Sequence, residues 1–178
     1  MAKRALVVLV LLIVLCGAAL ADQVKLSVAV TGGAFFPTAS STQRVFGDVW
    51  PRLSVGTMQP SMPREWQLTA DLSGFTHTDV GRARLYPLTV GVQRRLNTAG
   101  SAQTYAAVRI GPYYGKVEAP AIGVSAHDIG FNANAAVGVI FRERYFVEAR
   151  YDYFSHFAGF DFEGPTVSAG VRLFDIKL

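Results

Sequence analysis

Beyond residue 23 the chain alternates apolar and polar side chains one by one, in eight stretches separated by clusters of Gly, Pro, Asn and Asp. Successive side chains of a strand point to opposite faces, so a period of two predicts strands rather than helices. The stretches are 24–36, 49–58, 65–75, 84–95, 104–114, 130–141, 144–154 and 165–174. In 144–154, Tyr145, Val147, Ala149, Tyr151 and Tyr153 share one face while Glu148, Arg150 and Asp152 share the other. In 65–75, Trp66, Leu68, Ala70 and Leu72 oppose Gln67, Thr69, Asp71 and Ser73. In 130–141, Phe131, Ala133, Ala135, Val137 and Val139 oppose Asn132, Asn134 and Gly138. The stretch 49–58 is the most ragged, because Pro51 removes a ladder donor.

Eight such ribbons predict an all-β protein, an eight-stranded antiparallel up-and-down barrel. Alternation alone fits two arrangements of it. A soluble lipocalin-like barrel would turn the apolar faces inward, whereas a transmembrane β-barrel turns them out to lipid and fills its interior with the polar faces. Three features favour the membrane arrangement. The stretches run to roughly 10–13 residues, the length a tilted strand needs to cross hydrocarbon. Aromatic residues cluster near the strand ends, where lipid-facing or interfacial girdles belong: Trp66, Tyr86, Phe131, Tyr145, Tyr151 and Tyr153, with Phe35, Phe36, Trp50, Tyr113, Tyr114 and Phe141 expected to join them. The polar faces are mainly Asn, Gln, Ser, Thr and Gly with a few Arg, Glu and Asp. That composition suits a narrow, mutually satisfied interior better than a Lys- and Glu-rich surface in open water.

The start of the chain points the same way. Residues 1–21 read as a signal peptide, with Lys3 and Arg4 ahead of an apolar run over 5–15 and Ala19-Leu20-Ala21 as the small-residue cleavage site. The barrel domain is then 22–178. Cys16, the chain's one cysteine, leaves with the signal, so the domain must hold together without disulfides. The formal charge of +4 includes Lys3 and Arg4 and falls to an excess of two basic residues without them. No basic run interleaved with aromatics accompanies it, which argues against a nucleic-acid partner. No apolar run after Ala21 reaches the length of a spanning helix, so residence in a membrane requires a closed barrel.

At this point the chain resembles the small eight-stranded outer-membrane barrels of the OmpA/OmpX/OmpW-like group, over essentially all of 22–178. The residues that carry the resemblance are Gly32-Gly33-Ala34-Phe35-Phe36-Pro37, Arg150-Tyr151-Asp152-Tyr153-Phe154 and Gly164-Pro165-Thr166-Val167-Ser168-Ala169-Gly170-Val171-Arg172-Leu173-Phe174. The chain departs from the group at its end, where Asp175-Ile176-Lys177-Leu178 follows the expected aromatic terminus. The resemblance implies outer-membrane localisation after signal cleavage and both termini on the periplasmic side. Loops 38–48, 76–82, 115–129 and 155–164 would then face out, and turns 59–64, 96–103 and 142–144 would face in.

Candidate chemistry is sparse. A lumen polar network is expected from Arg109, Glu148, Arg150, Asp152 and Arg172. A three-residue turn at 142–144 sets Glu148 beside Gly138, and the last hairpin is expected to set Glu148 beside Arg172. The network reads as a plug of mutual hydrogen bonds or, alternatively, as a small pore. His77, His127 and His156 fall in the expected outer loops without metal-ligand spacing, so no metal is expected. Ser155-His156 with Glu163 raises a hydrolase, but neighbouring residues of a strand point apart, and His156 is followed by Phe157-Ala158 instead of the His-x-Ser element of the deacylases. No catalytic residues and no cofactor are therefore expected. The function expected is a structural or surface-interaction role, with binding of lipid or small apolar solutes. The alternatives are a narrow channel for small hydrophobic molecules, a lipid-modifying hydrolase and a soluble secreted barrel. Expected partners are outer-membrane lipids, periplasmic chaperones and the barrel-insertion machinery, with no nucleic acid and the protein as a monomer.

Overall fold

The computed structural model describes residues 25–58, 66–99 and 102–177. The signal peptide expected over 1–21 and the turn over 59–64 lie outside them. Eight strands follow one another: β1 (Lys25–Phe35), β2 (Trp50–Met58), β3 (Gln67–Thr78), β4 (Arg82–Ala99), β5 (Ala102–Ala119), β6 (Val124–Phe141), β7 (Tyr145–Phe154) and β8 (Gly164–Lys177). Each pairs antiparallel with the next, and β8 returns to pair with β1, closing an up-and-down barrel. Closure leaves no strand edge unpaired, which is what hydrocarbon demands of a sheet.

The polar faces turn inward. On β7 burial alternates residue by residue, with Phe146, Glu148, Arg150, Asp152 and Phe154 inside and Tyr145, Val147, Ala149, Tyr151 and Tyr153 outside. On β3 and β6 the same alternation buries Thr69, Ser73, Asn132 and Asn134 while Leu68, Leu72, Phe131 and Val137 stay exposed. An apolar exterior and a polar interior are the reverse of a lipocalin.

Several connections differ from those expected: β3 runs on to Thr78 and β4 begins at Arg82 within the expected loop 76–82, and β4 runs to Ala99 and β5 starts at Ala102 within the expected turn 96–103, because strand pairing continues past the last clear alternation. Residues 115–129 are not a loop: β5 and β6 stay paired from Gly115↔Asp128 to Ala119↔Val124, and only Pro120–Ile122, a 3₁₀ turn, with Gly123 at φ 69° reverses the chain. The alternation simply continues, with Gly115, Val117 and Ala119 buried, but Gly, Pro and His in the stretch resemble loop punctuation. Between β1 and β2 lies a seven-residue helix, α1 (Ser40–Phe46), which buries Thr42 and Phe46. Two turns are too few to display a helical period against neighbouring strands. The turn at 142–144 is as expected, and it places Gly138 opposite Glu148 and Ala136 opposite Arg150.

Candidate functional site in the barrel lumen and on its outer face

The interior is filled in layers. At mid-height, β2, β3, β5 and β7 each send charged side chains inward. Arg52 donates through Nη2 to both oxygens of Asp71 at 3.2 Å and to Ser73 Oγ at 2.8 Å, and Ser73 donates its own hydroxyl proton to Asp71. Arg150 lies across the lumen with Nη1 3.5 Å from the same carboxylate, while its Nε donates to Asp152 Oδ2 at 2.8 Å. Thr166 donates to that Asp152 oxygen at 2.7 Å. Arg109 donates to Glu148 Oε2 at 3.1 Å and to Asn134 Oδ1 at 3.3 Å, and the Tyr105 hydroxyl donates to Glu148 Oε2 at 2.9 Å. Three guanidiniums thus meet three carboxylates in one buried layer. Such a layer persists only if every charge is compensated, since an unpaired ion in low dielectric costs several kcal/mol.

Above it, toward the end that carries α1, the lumen turns apolar. Phe35, Phe75 and Phe154 meet edge to face at centroid distances of 5.3–6.3 Å, and Tyr113 adds its edge to Phe154 at 5.1 Å. Phe46 of α1, Trp50, and Phe157, Phe160 and Phe162 of the segment after β7 complete the cluster. The Phe75 ring is its floor: the guanidinium carbons of Arg52 and Arg150 sit 5.7 and 5.6 Å from the ring centroid, so cation–π contact joins the two layers. Phe35, Trp50 and Tyr113, expected in the outer girdle, are therefore interior residues, because the inward face of the sheet changes from polar to aromatic near this rim.

Below the ionic layer, Tyr105 and Phe146 form a smaller cluster with Ala29 and Ile140. Rings here lie over glycines of the neighbouring strand. A Cβ on Gly138 would fall 2.5 Å from the Tyr105 ring and one on Gly170 2.3 Å from that of Phe146. The absent side chain of one strand is filled by the aromatic of the next.

Arg109, Glu148, Arg150 and Asp152 thus stand together in the layer, and Arg172 does not. The last hairpin places Ser168, not Arg172, opposite Glu148, and Arg172 pairs with Ala29 near the turn end, where its Nε lies 3.8 Å from Asp175. The pairing expected from sequence was four residues out of register. An even slip leaves every side chain on its original face, so alternation carries no signal against it. Two members of the layer, Arg52 and Asp71, and its Tyr105 escaped sequence reasoning. Arg52 follows Pro51 in the most ragged stretch, and the register joining it to β3 depends on a turn of unspecified type.

The outer face carries Trp66, Tyr86, Phe131, Tyr145, Tyr151 and Tyr153, all exposed. At one rim Arg94 lies 5.9 Å over Trp66 and Arg144 5.9 Å over Tyr145. From Phe131 to Phe141 on β6, ten residue steps at ~3.3 Å and a tilt of about 40° give a band roughly 25 Å high. Within that band, strand after strand presents Leu, Val, Ile, Ala, Gly and Pro, and the outward charge nearest to it among the described residues is Arg94, at the rim against Trp66.

The remaining candidates separate. His77 lies in β3, stacked on Trp50 at 6.2 Å, and His127 lies in β6 opposite Lys116, so neither is in a loop. His156 Nδ1 is 2.8 Å from Asp161 Oδ1 on the exposed segment after β7. Ser155 is held otherwise: its Oγ accepts from Phe131 N at 2.9 Å and its carbonyl accepts from Tyr113 OH at 2.8 Å. Serine and histidine are thus committed to different partners. Near the α1 end, Lys116 donates to Glu118 at 2.7 Å and holds that exposed carboxyl below its ordinary range, with Arg82 3.7 Å from the same group.

No protein-family model and no curated protein sequence matches the chain. Solved structures do. Ail, the attachment invasion locus protein of Yersinia pestis, superposes with a TM-score of 0.51 at 14% identity, over 83% of this chain and 96% of Ail. The outer membrane enzyme PagL gives 0.53 at 10% identity, over 82% and 99%. The N-terminal barrel domain of Pseudomonas aeruginosa OprF gives 0.50 at 13% identity, over 84% and 97%. An attachment protein and an enzyme share this architecture, so it does not assign an activity. The chain has the fold of the small eight-stranded outer-membrane barrels.

Proposed function

We propose that the mature protein resides in the outer membrane as a closed barrel with a structural or surface-interaction role, and that it neither conducts ions nor catalyses a reaction. The observation that carries this reading is the inversion of polarity: an uncharged outer band between aromatic rims, around a lumen packed with compensated ions. A soluble barrel with this exterior would expose far more contiguous apolar surface than monomers tolerate. A conducting lumen would need a wetted path past Arg52, Arg109 and Arg150, whose side chains are almost wholly buried against their partners. The separate commitments of Ser155 and His156 support the non-enzymatic part.

Fractionation and electrophysiology test it. The mature protein is expected with outer membranes after alkaline extraction, and it should migrate anomalously on gels when unheated, because closed strand pairing resists detergent. In planar bilayers it should be silent. Recovery as a soluble periplasmic protein would refute the location, and steady unitary conductance would refute the sealed lumen.

A further inference from the structure

On the outer face, where β4 and β5 pass the aromatic rim at the α1 end, the register builds two rows. Tyr86 of β4 pairs with Tyr114 of β5, and one step further from the band Arg84 pairs with Lys116, which in turn pairs with His127 of β6. Arg82 and Glu118 stand opposite each other one step beyond. Three cations stand around the single carboxylate of Glu118, which Lys116 meets at 2.7 Å and Arg82 at 3.7 Å. Arg84 forms no salt bridge with a described residue, which leaves this patch with an excess of two positive charges at headgroup height.

Directly beneath Arg84 the outer surface is hollow. A groove of about 730 Å³ runs along β2 and β3, lined by Leu53, Val55, Leu72 and Gly74, with Tyr86 on one flank and Arg84 at its upper end. Gly74 makes it: the missing side chain leaves the space between Leu53 and the Tyr86 ring open, and a Cβ there would only just touch that ring at 3.5 Å. From Leu72 to Thr76 the groove follows about 13 Å of strand at ~3.3 Å per residue, and with a strand tilt of about 40° it spans roughly 10 Å of the depth that acyl chains occupy. A cationic end at the interface and an apolar channel below it match the two ends of one molecule.

We infer that this face binds an anionic membrane lipid, its phosphate held by Arg84 and Lys116 and one acyl chain lying in the groove over Gly74. The site rests on the outer-membrane reading above, since only then does the groove face lipid. Glu118 competes with the phosphate for Lys116, and Arg84 is the phosphate's main contact.

The test is native mass spectrometry of the barrel in a neutral detergent with equimolar dimyristoylphosphatidylglycerol and dimyristoylphosphatidylcholine. Every protein is first checked for the anomalous migration of the unheated barrel. The wild type should retain the glycerol lipid preferentially. A cation at a membrane surface contributes about 1 kcal/mol, so Arg84→Gln should cut the preference about fivefold and Arg84→Gln with Lys116→Gln roughly twenty-five-fold. Glu118→Gln should raise it, and Gly74→Leu should lower retention of both lipids by filling the groove. A preference unchanged in the double variant, or lipid retention unchanged in Gly74→Leu, would overturn the site. So would saturation of the patch by millimolar glycerol 3-phosphate with the affinity of the whole lipid. A wild type that inserts into vesicles yet shows no preference refutes this site alone. A wild type that does not insert refutes the membrane reading, and the site with it.

Discussion

Replacing Glu148 by Gln removes one of three carboxylates that compensate three buried guanidiniums, without changing the volume of the side chain. Arg109 loses its ionic partner at 3.1 Å, and the Tyr105 hydroxyl loses the charged acceptor it meets at 2.9 Å. At an effective dielectric of about 20, two unit charges 3.1 Å apart attract by roughly 5 kcal/mol before desolvation is counted. Taking away one partner leaves the other charge buried, and such changes typically cost about 3–5 kcal/mol. The amide still accepts a hydrogen bond from Arg109, so Glu148→Gln should fall near the lower end of that range. Adding Arg109→Gln should restore much of the loss, because two amides pair without net charge. Unfolding by denaturant in lipid vesicles, followed by loss of the unheated gel shift, measures the four corners of this cycle, with bilayer recordings of the same proteins beside it. Additive losses in the double variant, or mild single effects with altered conductance, would refute a desolvated ionic layer and indicate a wetted lumen.

Arg172→Gln should cost less than about 1 kcal/mol and show no coupling to Glu148→Gln, since its contact with Asp175 is long and half exposed; strong coupling in the same unfolding assay would restore the Arg172–Glu148 pairing. Ala135→Arg or Ala169→Arg should destabilise the inserted barrel by about 2–4 kcal/mol if the side chain meets lipid near mid-depth, against about 1 kcal/mol for Asn134→Ser on the inner face; equal tolerance of the two faces would contradict the outward assignment. Gly138→Ala should cost about 1–3 kcal/mol by displacing the Tyr105 ring, and the loss should be markedly less than additive with Tyr105→Ala; strict additivity would mean that the ring does not rest on the glycine.

Period-two alternation carried most of the architecture, because burial of one face of a ribbon writes itself directly into sequence. The ladder of β7 is the clearest instance, and the register of β6 on β7 followed from a turn of only three residues. Where a long connection joins two strands, as between β7 and β8, the turn no longer fixes the register, and Arg172 was placed four residues from its true height. The aromatic cap was misread for a different reason. Phe35, Trp50 and Tyr113 have the composition and position of girdle residues, yet each stands an even number of residues from an inward side chain of its own strand, Thr31, Arg52 and Arg109; alternation held their direction, and aromatic composition masked it. Arg52 and Asp71 lay in view throughout, but their partnership depends on the β2–β3 pairing, which alternation does not specify.

The ionic layer has a bearing on how such a chain enters the bilayer. Arg52 and Asp71 belong to β2 and β3, whereas Arg109, Glu148, Arg150 and Asp152 belong to β5 and β7. Each half of the sheet therefore sums to zero within the layer, and among the described residues a single ion pair, Arg150 with Asp71, crosses between the halves. A partly assembled sheet exposes its lumen side before β8 meets β1, and at that stage any charge without a counter-ion on the same half would face hydrocarbon at a cost of several kcal/mol. Here each guanidinium travels with a carboxylate from its own neighbourhood, so the seam can close late without first cancelling a charge. The exchange Arg52→Glu with Glu148→Arg would preserve composition and the neutrality of the finished layer. It would also make one half doubly negative and the other doubly positive, and the burden would fall on assembly, before the barrel exists to compensate it.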